Sequence, residues 1–144
     1  MLNNTGVLAN RHARFYIAEM FCSVDALHQL GYIHRDLKPA NIMVRPNGTP
    51  VVLDLGIAKD TKSDSGQTQA MTAMGTSGWM APEQVDDARS VGPAADRYAL
   101  GLIAYALLTG RMPWDEGDSE LRVLMNKGLG KLVPLSELKP NLPT

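Results

Sequence analysis

Residues Pro93 to Gly110 (PAADRYALGLIAYALLTG) constrain the fold of this chain more than any other stretch. They open on proline, which suits the first turn of a helix, and close on glycine, which ends one. Only Asp96 and Arg97 are charged, and both stand near the front. The pattern predicts a helix over 94–109 that is apolar nearly all round, and such a helix must run through the middle of a domain. Asp96, in the first turn, suits an N-terminal cap.

The 144 residues give room for one domain with a proper core. A formal charge of -1 gives no reason to expect nucleic acid or an anionic membrane as partner. No run of about 18 apolar residues occurs, so no membrane segment is expected, and the start lacks the pattern of a signal peptide. Cys22 is the single cysteine, which excludes an internal disulfide and makes a reducing, cytoplasmic setting the expectation. It is expected as a buried free thiol on an apolar helix.

That helix is predicted over 11–30, with Asn10 as its N-cap and Gly31 ending it. Ile17, Phe21, Val24 and Leu27 recur at helical spacing, and Phe15, Ala18, Met20 and Cys22 broaden the face, so the helix should be mostly buried. Residues 1–9 read as a weakly structured connection, His12 as a surface residue and His28 as a packing residue. Ile42-Met43-Val44 and Val51-Val52-Leu53 flank an Asn47-Gly48 pair, a hairpin signal with prolines at the strand ends. Residues 60–69 have almost nothing to bury and read as a loop. Ser119 to Lys127 predicts a further amphipathic helix, and the rest, through Pro134, Pro140 and Pro143, reads as loop. Gly128-Leu129-Gly130-Lys131 lacks the spacing and the preceding strand of a phosphate loop. The fold class expected is mainly α with a small β-hairpin.

Between the first helix and the hairpin lies Ile33-His34-Arg35-Asp36-Leu37-Lys38-Pro39-Ala40-Asn41, an acid, a cation and a carboxamide on one short loop. Asp36 can accept the proton of an attacking hydroxyl, Lys38 can sit on the moving phosphate, and Asn41 can hold a metal ion. The run matches H-R-D-L-x-x-x-N, the catalytic-loop signature of protein kinases. The chain thus resembles the eukaryotic-type (Hanks-type) serine/threonine protein kinases over almost its whole length. Its front part is more similar to AGC-group kinases and its rear part to bacterial receptor-type kinases.

The resemblance implies a set of roles. Asp54-Leu55-Gly56 takes the place of D-F-G, with Asp54 and Asn41 holding Mg2+ on the phosphates of ATP; Leu55 replaces the usual phenylalanine and should loosen only the packing. Met43 would form part of the adenine floor. Residues 54–83 become the activation segment, ending at Ala81-Pro82-Glu83, with Thr68 and Thr72 as candidate phosphorylation sites and Thr61, Ser63 and Ser65 as weaker ones. Arg35 and Lys59 could clamp such a phosphate, phospho-Thr72 on Arg35 being the leading pairing. Thr76 would contact Asp36 and Lys38, and the residues after it would receive the peptide. Lys38 and Thr76 together imply a protein substrate with Ser or Thr as acceptor, and Ala40 argues against a strict arginine-directed preference. Asp96 would hydrogen-bond the backbone of the loop that begins at His34, a buried charge that needs those donors. Trp114 would anchor the turn after the central helix.

Against the family's pattern, the chain shows no G-x-G-x-x-G-x-V loop, no V-A-I-K lysine and no helix glutamate to pair with it. The domain expectation is therefore a partial kinase domain, 1–144: a C-terminal lobe truncated at both ends, with helix 11–30, catalytic loop 33–41, activation segment 54–83 and central helix 94–109. Its N-terminal lobe would be a partner supplied in a longer chain, and Glu83 would lack its arginine. Alone, the chain should be nearly inactive and should expose a large apolar patch. Two functions stay open, a serine/threonine kinase lobe and a kinase remnant that only binds partners; a metal-dependent hydrolase using Asp36 and Asp54 has no nucleophile to support it.

Overall fold

The computed structural model describes residues 10–53, 77–86 and 91–141. Asp54, Lys59, Thr61, Ser63, Ser65, Thr68, Thr72 and Thr76 lie outside the described residues. In chain order the elements are α1 (Asn10–Gln29), β1 (Ile42–Val44), β2 (Pro50–Val52), α2 (Pro82–Asp86), α3 (Pro93–Thr109), α4 (Glu120–Gly128) and α5 (Leu135–Leu138). Single 3-10 turns cover Pro39–Asn41 and Ser77–Trp79.

α3 carries the core. Ala95, Ala99, Leu100, Leu102, Ile103, Tyr105 and Ala106 are buried along it. Gly110 ends it at φ 77, a left-handed conformation that glycine adopts without strain. Leu100 and Ile103 pack with Met20 and Val24 of α1 and with Leu37 of the loop between α1 and β1. Ile42 and Val52 of the hairpin close the cluster from another side. Leu37 therefore ties the loop to the core through its side chain, leaving the neighbouring polar residues at the surface of the cluster.

Three expectations about α1 need correcting. Asn10 is the first helical residue, not a cap before it. The helix is buried on one stripe only: Ala13, Met20 and Val24 are buried, whereas Phe15, Ala18, Phe21 and Cys22 are exposed. Cys22 is two residues on from Met20, roughly 200° around a helix, so its thiol faces outward. α5, a single turn at Leu135–Leu138, lies where only loop was expected; Pro134 precedes it with extended φ and ψ, as proline does before a helix.

β1 and β2 pair antiparallel, with Ile42 opposite Val52, Met43 opposite Val51 and Val44 opposite Pro50. The turn is wider than a two-residue Asn-Gly turn. Gly48 N–H closes on the Arg45 carbonyl at 2.8 Å and Arg45 N–H on that of Thr49 at 3.0 Å, with Gly48 at φ 87. Pro46 sits inside the turn, and Pro50 opens β2. Strand alternation turns Met43 away from the core, and it is 48% exposed.

Candidate active site

The loop from Ile33 to Asn41 is positioned by a buried carboxylate. Asp96, 1% exposed, accepts three hydrogen bonds of 2.8 Å: from His34 N and His28 Nε2 at Oδ2, and from Arg35 N at Oδ1. Two successive peptide N–H groups converging on one anion form the kind of concavity called a nest. Arg35 makes this possible by adopting φ 66, the left-handed region that a residue with a side chain enters at a cost of roughly 1–2 kcal/mol. The other side of that residue is held as well, since Gln84 Nε2 donates to the Arg35 carbonyl at 2.8 Å. Gln84 in turn accepts from the N–H of Ala81 at 2.9 Å, so α2 and the loop are joined through one side chain.

His34 is fully buried and bridges the loop to the hairpin. Its Nδ1 accepts from the N–H of Asp36 at 3.3 Å, which assigns the ring proton to Nε2, and Nε2 donates to the Leu53 carbonyl at 2.9 Å. Leu53 N–H also donates to the Asn41 carbonyl at 2.8 Å. The hairpin thus brings the chain back beside the loop at Leu53, the residue before Asp54.

At the front of the loop, three of the expected site residues meet. Lys38 Nζ lies 3.0 Å from Asp36 Oδ2. Asn41 Nδ2 donates to the Asp36 carbonyl at 2.8 Å and reaches Oδ2 at 3.3 Å. The Asp36 side chain is 30% exposed, open enough to meet a ligand while its geometry is set from behind. Because Nδ2 of Asn41 is committed to Asp36, its Oδ1 is the atom the carboxamide can offer to a cation, and it is an oxygen of the type magnesium takes. Arg35 Nε is buried and has no hydrogen-bond partner among the described residues. Glu83, by contrast, is exposed on α2.

Behind Asp36, a narrow recess is walled by Arg35, Asp36, Trp79, Met80, Gln84 and Asp96. Its far wall, Trp79 and Met80, belongs to the segment Ser77–Met80, which is gripped from α4. Lys127 Nζ donates to the carbonyls of Ser77 at 3.1 Å, Gly78 at 2.6 Å and Met80 at 3.0 Å. The same ammonium stands 4.9 Å from the centre of the Trp114 ring and 5.8 Å from that of Tyr98. Burial pushes the Lys127 pKa down to about 8, while three carbonyl dipoles and two aromatic faces favour the cation. It therefore remains charged at neutral pH. Burial, with Glu83 nearby, pushes the Tyr98 hydroxyl the other way.

The structure places Asp36, Lys38 and Asn41 together, with His34, Arg35 and Asp96 behind them and Met43 on the outer face of the hairpin. His28, Gln84 and Lys127 were not read from the sequence as site residues. Two of them left a trace. His28 continues the buried Met20–Val24 stripe of α1 at four-residue spacing, and Lys127 stands four after the buried Val123 of α4. A polar residue on an apolar stripe is the signal for a buried partner. Gln84 left none.

The protein kinase domain family matches residues 1–140. The chain is 37% identical to a probable serine/threonine-protein kinase PknB of Lactococcus lactis, over 99% of this chain and 22% of the relative. It is 36% identical to serine/threonine-protein kinase PknA of Mycobacterium tuberculosis, over 99% of this chain and 32% of the relative. A citron rho-interacting kinase of the rat is 38% identical over 74% of this chain and 5% of its own length. The chain thus spans a third or less of each of these relatives. On a family match that runs over residues 1–140, the chain belongs to the protein kinase domain family.

Proposed function

We propose that this chain supplies the catalytic-loop lobe of a serine/threonine protein kinase, completed by an N-terminal lobe, and transfers the γ-phosphoryl group of ATP to Ser or Thr hydroxyls of a protein. The observation that carries this reading is the contact of Asp36 with both Lys38 and Asn41, on a loop locked from behind by Asp96. Asp36 would take the hydroxyl proton as the acceptor oxygen attacks. Lys38, already beside that carboxylate, would place positive charge where the transferred phosphoryl group arrives. The names of the two bacterial relatives, both serine/threonine-protein kinases, support Ser/Thr as the acceptor class.

Asn41 through Oδ1 and, by resemblance, Asp54 are the residues that would hold Mg2+, which when bound neutralises phosphate oxygens. The exposed Met43 would meet the adenine. The buried Arg35 Nε, without a hydrogen-bond partner among the described residues, favours phospho-Thr72 as its regulatory partner, with Lys59 beside it and Thr68 as the second site; Thr76 would contact Asp36 and Lys38. No helix among the described residues is long and apolar enough to cross a membrane. A cytoplasmic setting remains the reading from the single cysteine.

The test uses the polypeptide in which this lobe is joined to an N-terminal lobe. Asp36→Asn should cut phosphate transfer to a Ser/Thr peptide by roughly 10²–10⁴-fold, with ATP binding retained. Asp54→Asn should weaken magnesium-dependent ATP binding, and Thr72→Ala should lower turnover. Full transfer activity in Asp36→Asn would overturn the proposal.

A further inference from the structure

We propose that Lys127, 50 residues downstream of Ser77, is the positioning residue for the wall on which the acceptor peptide lies, and that it sets substrate binding and leaves the transfer step alone. The inference rests on the kinase reading for what the wall does, and on geometry for who holds it.

The segment Ser77–Met80 is neither strand nor α-helix, so its carbonyls find few peptide N–H partners; Met80 N–H to Ser77 O, at 3.3 Å, is one bond it makes on itself. Three of its four carbonyls turn instead to one ammonium. An ammonium has three N–H groups, and here each has an acceptor. The residue is 4% exposed, and the Trp114 and Tyr98 rings shield it on two sides. Trp114 also backs the wall directly, since a Cβ on Gly78 would stand 3.8 Å from its ring.

The wall matters to the site because Met80 and Trp79 face Asp36 across the same recess. A chain presenting a hydroxyl to the exposed Asp36 carboxylate runs past them. From Met80 the backbone passes to Ala81, whose N–H is held by Gln84, which also holds Arg35. One continuous set of bonds therefore links α4 to the left-handed residue beside Asp36. Lys127 touches neither Asp36 nor Asn41, so its removal shifts the wall and leaves the Asp36–Lys38–Asn41 contact in place.

Two measurements test this. In the 144-residue chain, Lys127→Met keeps the length of the side chain and removes every donor. Amide exchange at Met80 and Ala81 should accelerate about tenfold or more, the loss of one or two net hydrogen bonds, with α1 and α3 unchanged. In the two-lobed polypeptide, Lys127→Met should raise KM for a Ser/Thr peptide about tenfold, with kcat and KM for ATP within about twofold. Lys127→Arg keeps the cation with fewer well-aimed bonds, should be intermediate in both assays, and carries the test if the methionine variant does not fold. Unchanged exchange at Met80 and Ala81, or a fall in kcat with the peptide KM intact, would overturn the assignment. Exchange needs no activity, so a wild-type polypeptide that transfers no phosphate would sink the kinase reading and leave this arm standing.

Discussion

The clearest single perturbation is Asp96→Asn, which keeps the shape of the side chain and removes one acceptor oxygen and the charge. Asp96 Oδ2 takes two hydrogen bonds and Oδ1 one. The best pose of the amide keeps its oxygen where Oδ2 stood, facing His28 and His34, and turns its NH₂ against the N–H of Arg35. One bond to a charged acceptor is lost, at about 1.5–3 kcal/mol, and two others weaken towards neutral strength. The sum is about 3–4 kcal/mol, large beside the 5–15 kcal/mol that typically holds a domain together. Urea unfolding should show a lower midpoint at unchanged slope, and the thermal midpoint should fall by roughly 10 °C. Amide exchange should localise the damage: Arg35 N–H, bonded only through Oδ1, should lose protection before His34 N–H does. In the two-lobed polypeptide kcat should drop, because Arg35 no longer holds the conformation that aims Asp36. A stability loss below about 0.5 kcal/mol, with Arg35 still protected, would refute the reasoning, since an ordinary surface substitution costs no more than that.

Other outcomes follow from the same contacts. Gly110→Ala forces a Cβ into a residue at φ 77 and should cost roughly 1 kcal/mol in denaturant unfolding, with activity unaffected. Gln84→Leu orphans the Ala81 N–H and the Arg35 carbonyl, and should cost about 2 kcal/mol with faster exchange at Ala81. Lys127 has its folded pKa lowered from 10.5 to about 8 by burial, so between those values the unfolded chain binds more protons than the folded one. Stability should therefore climb as pH rises from about 8 towards 10.5 relative to Lys127→Met, whose curve lacks this component; parallel curves for the two proteins would show that burial does not lower the pKa of Lys127.

The sequence was most legible where local chemistry and tertiary role coincide. Pro93 and Gly110 bracket α3 because both act through backbone geometry that needs no partner. Asp36, Lys38 and Asn41 stand within five residues, so a single loop brings them together and their spacing alone tells. α1 was harder. Its apolar residues cover more of the surface than the core contacts, and periodicity counted Phe21 and Cys22 inward when α3 and the hairpin bury only the Ala13, Met20 and Val24 side. His28 and Lys127 showed only as polar residues on buried stripes, and Gln84 not at all, because what each holds is decided by partners 40 to 70 residues away, which a local pattern does not identify.

The bond between His28 and Asp96 has a mechanical consequence. Two helices packed through small and aliphatic residues, as α1 and α3 are, have nearly equivalent seats one turn apart, about 5.4 Å along the axis. Apolar ridges tolerate that slip; a carboxylate that must meet an imidazole and two loop amides at 2.8 Å does not. Asp96 thus acts as a pawl between the two longest helices among the described residues, and any ligand or partner that drives one along the other has to unlatch the loop that carries Asp36 to do so.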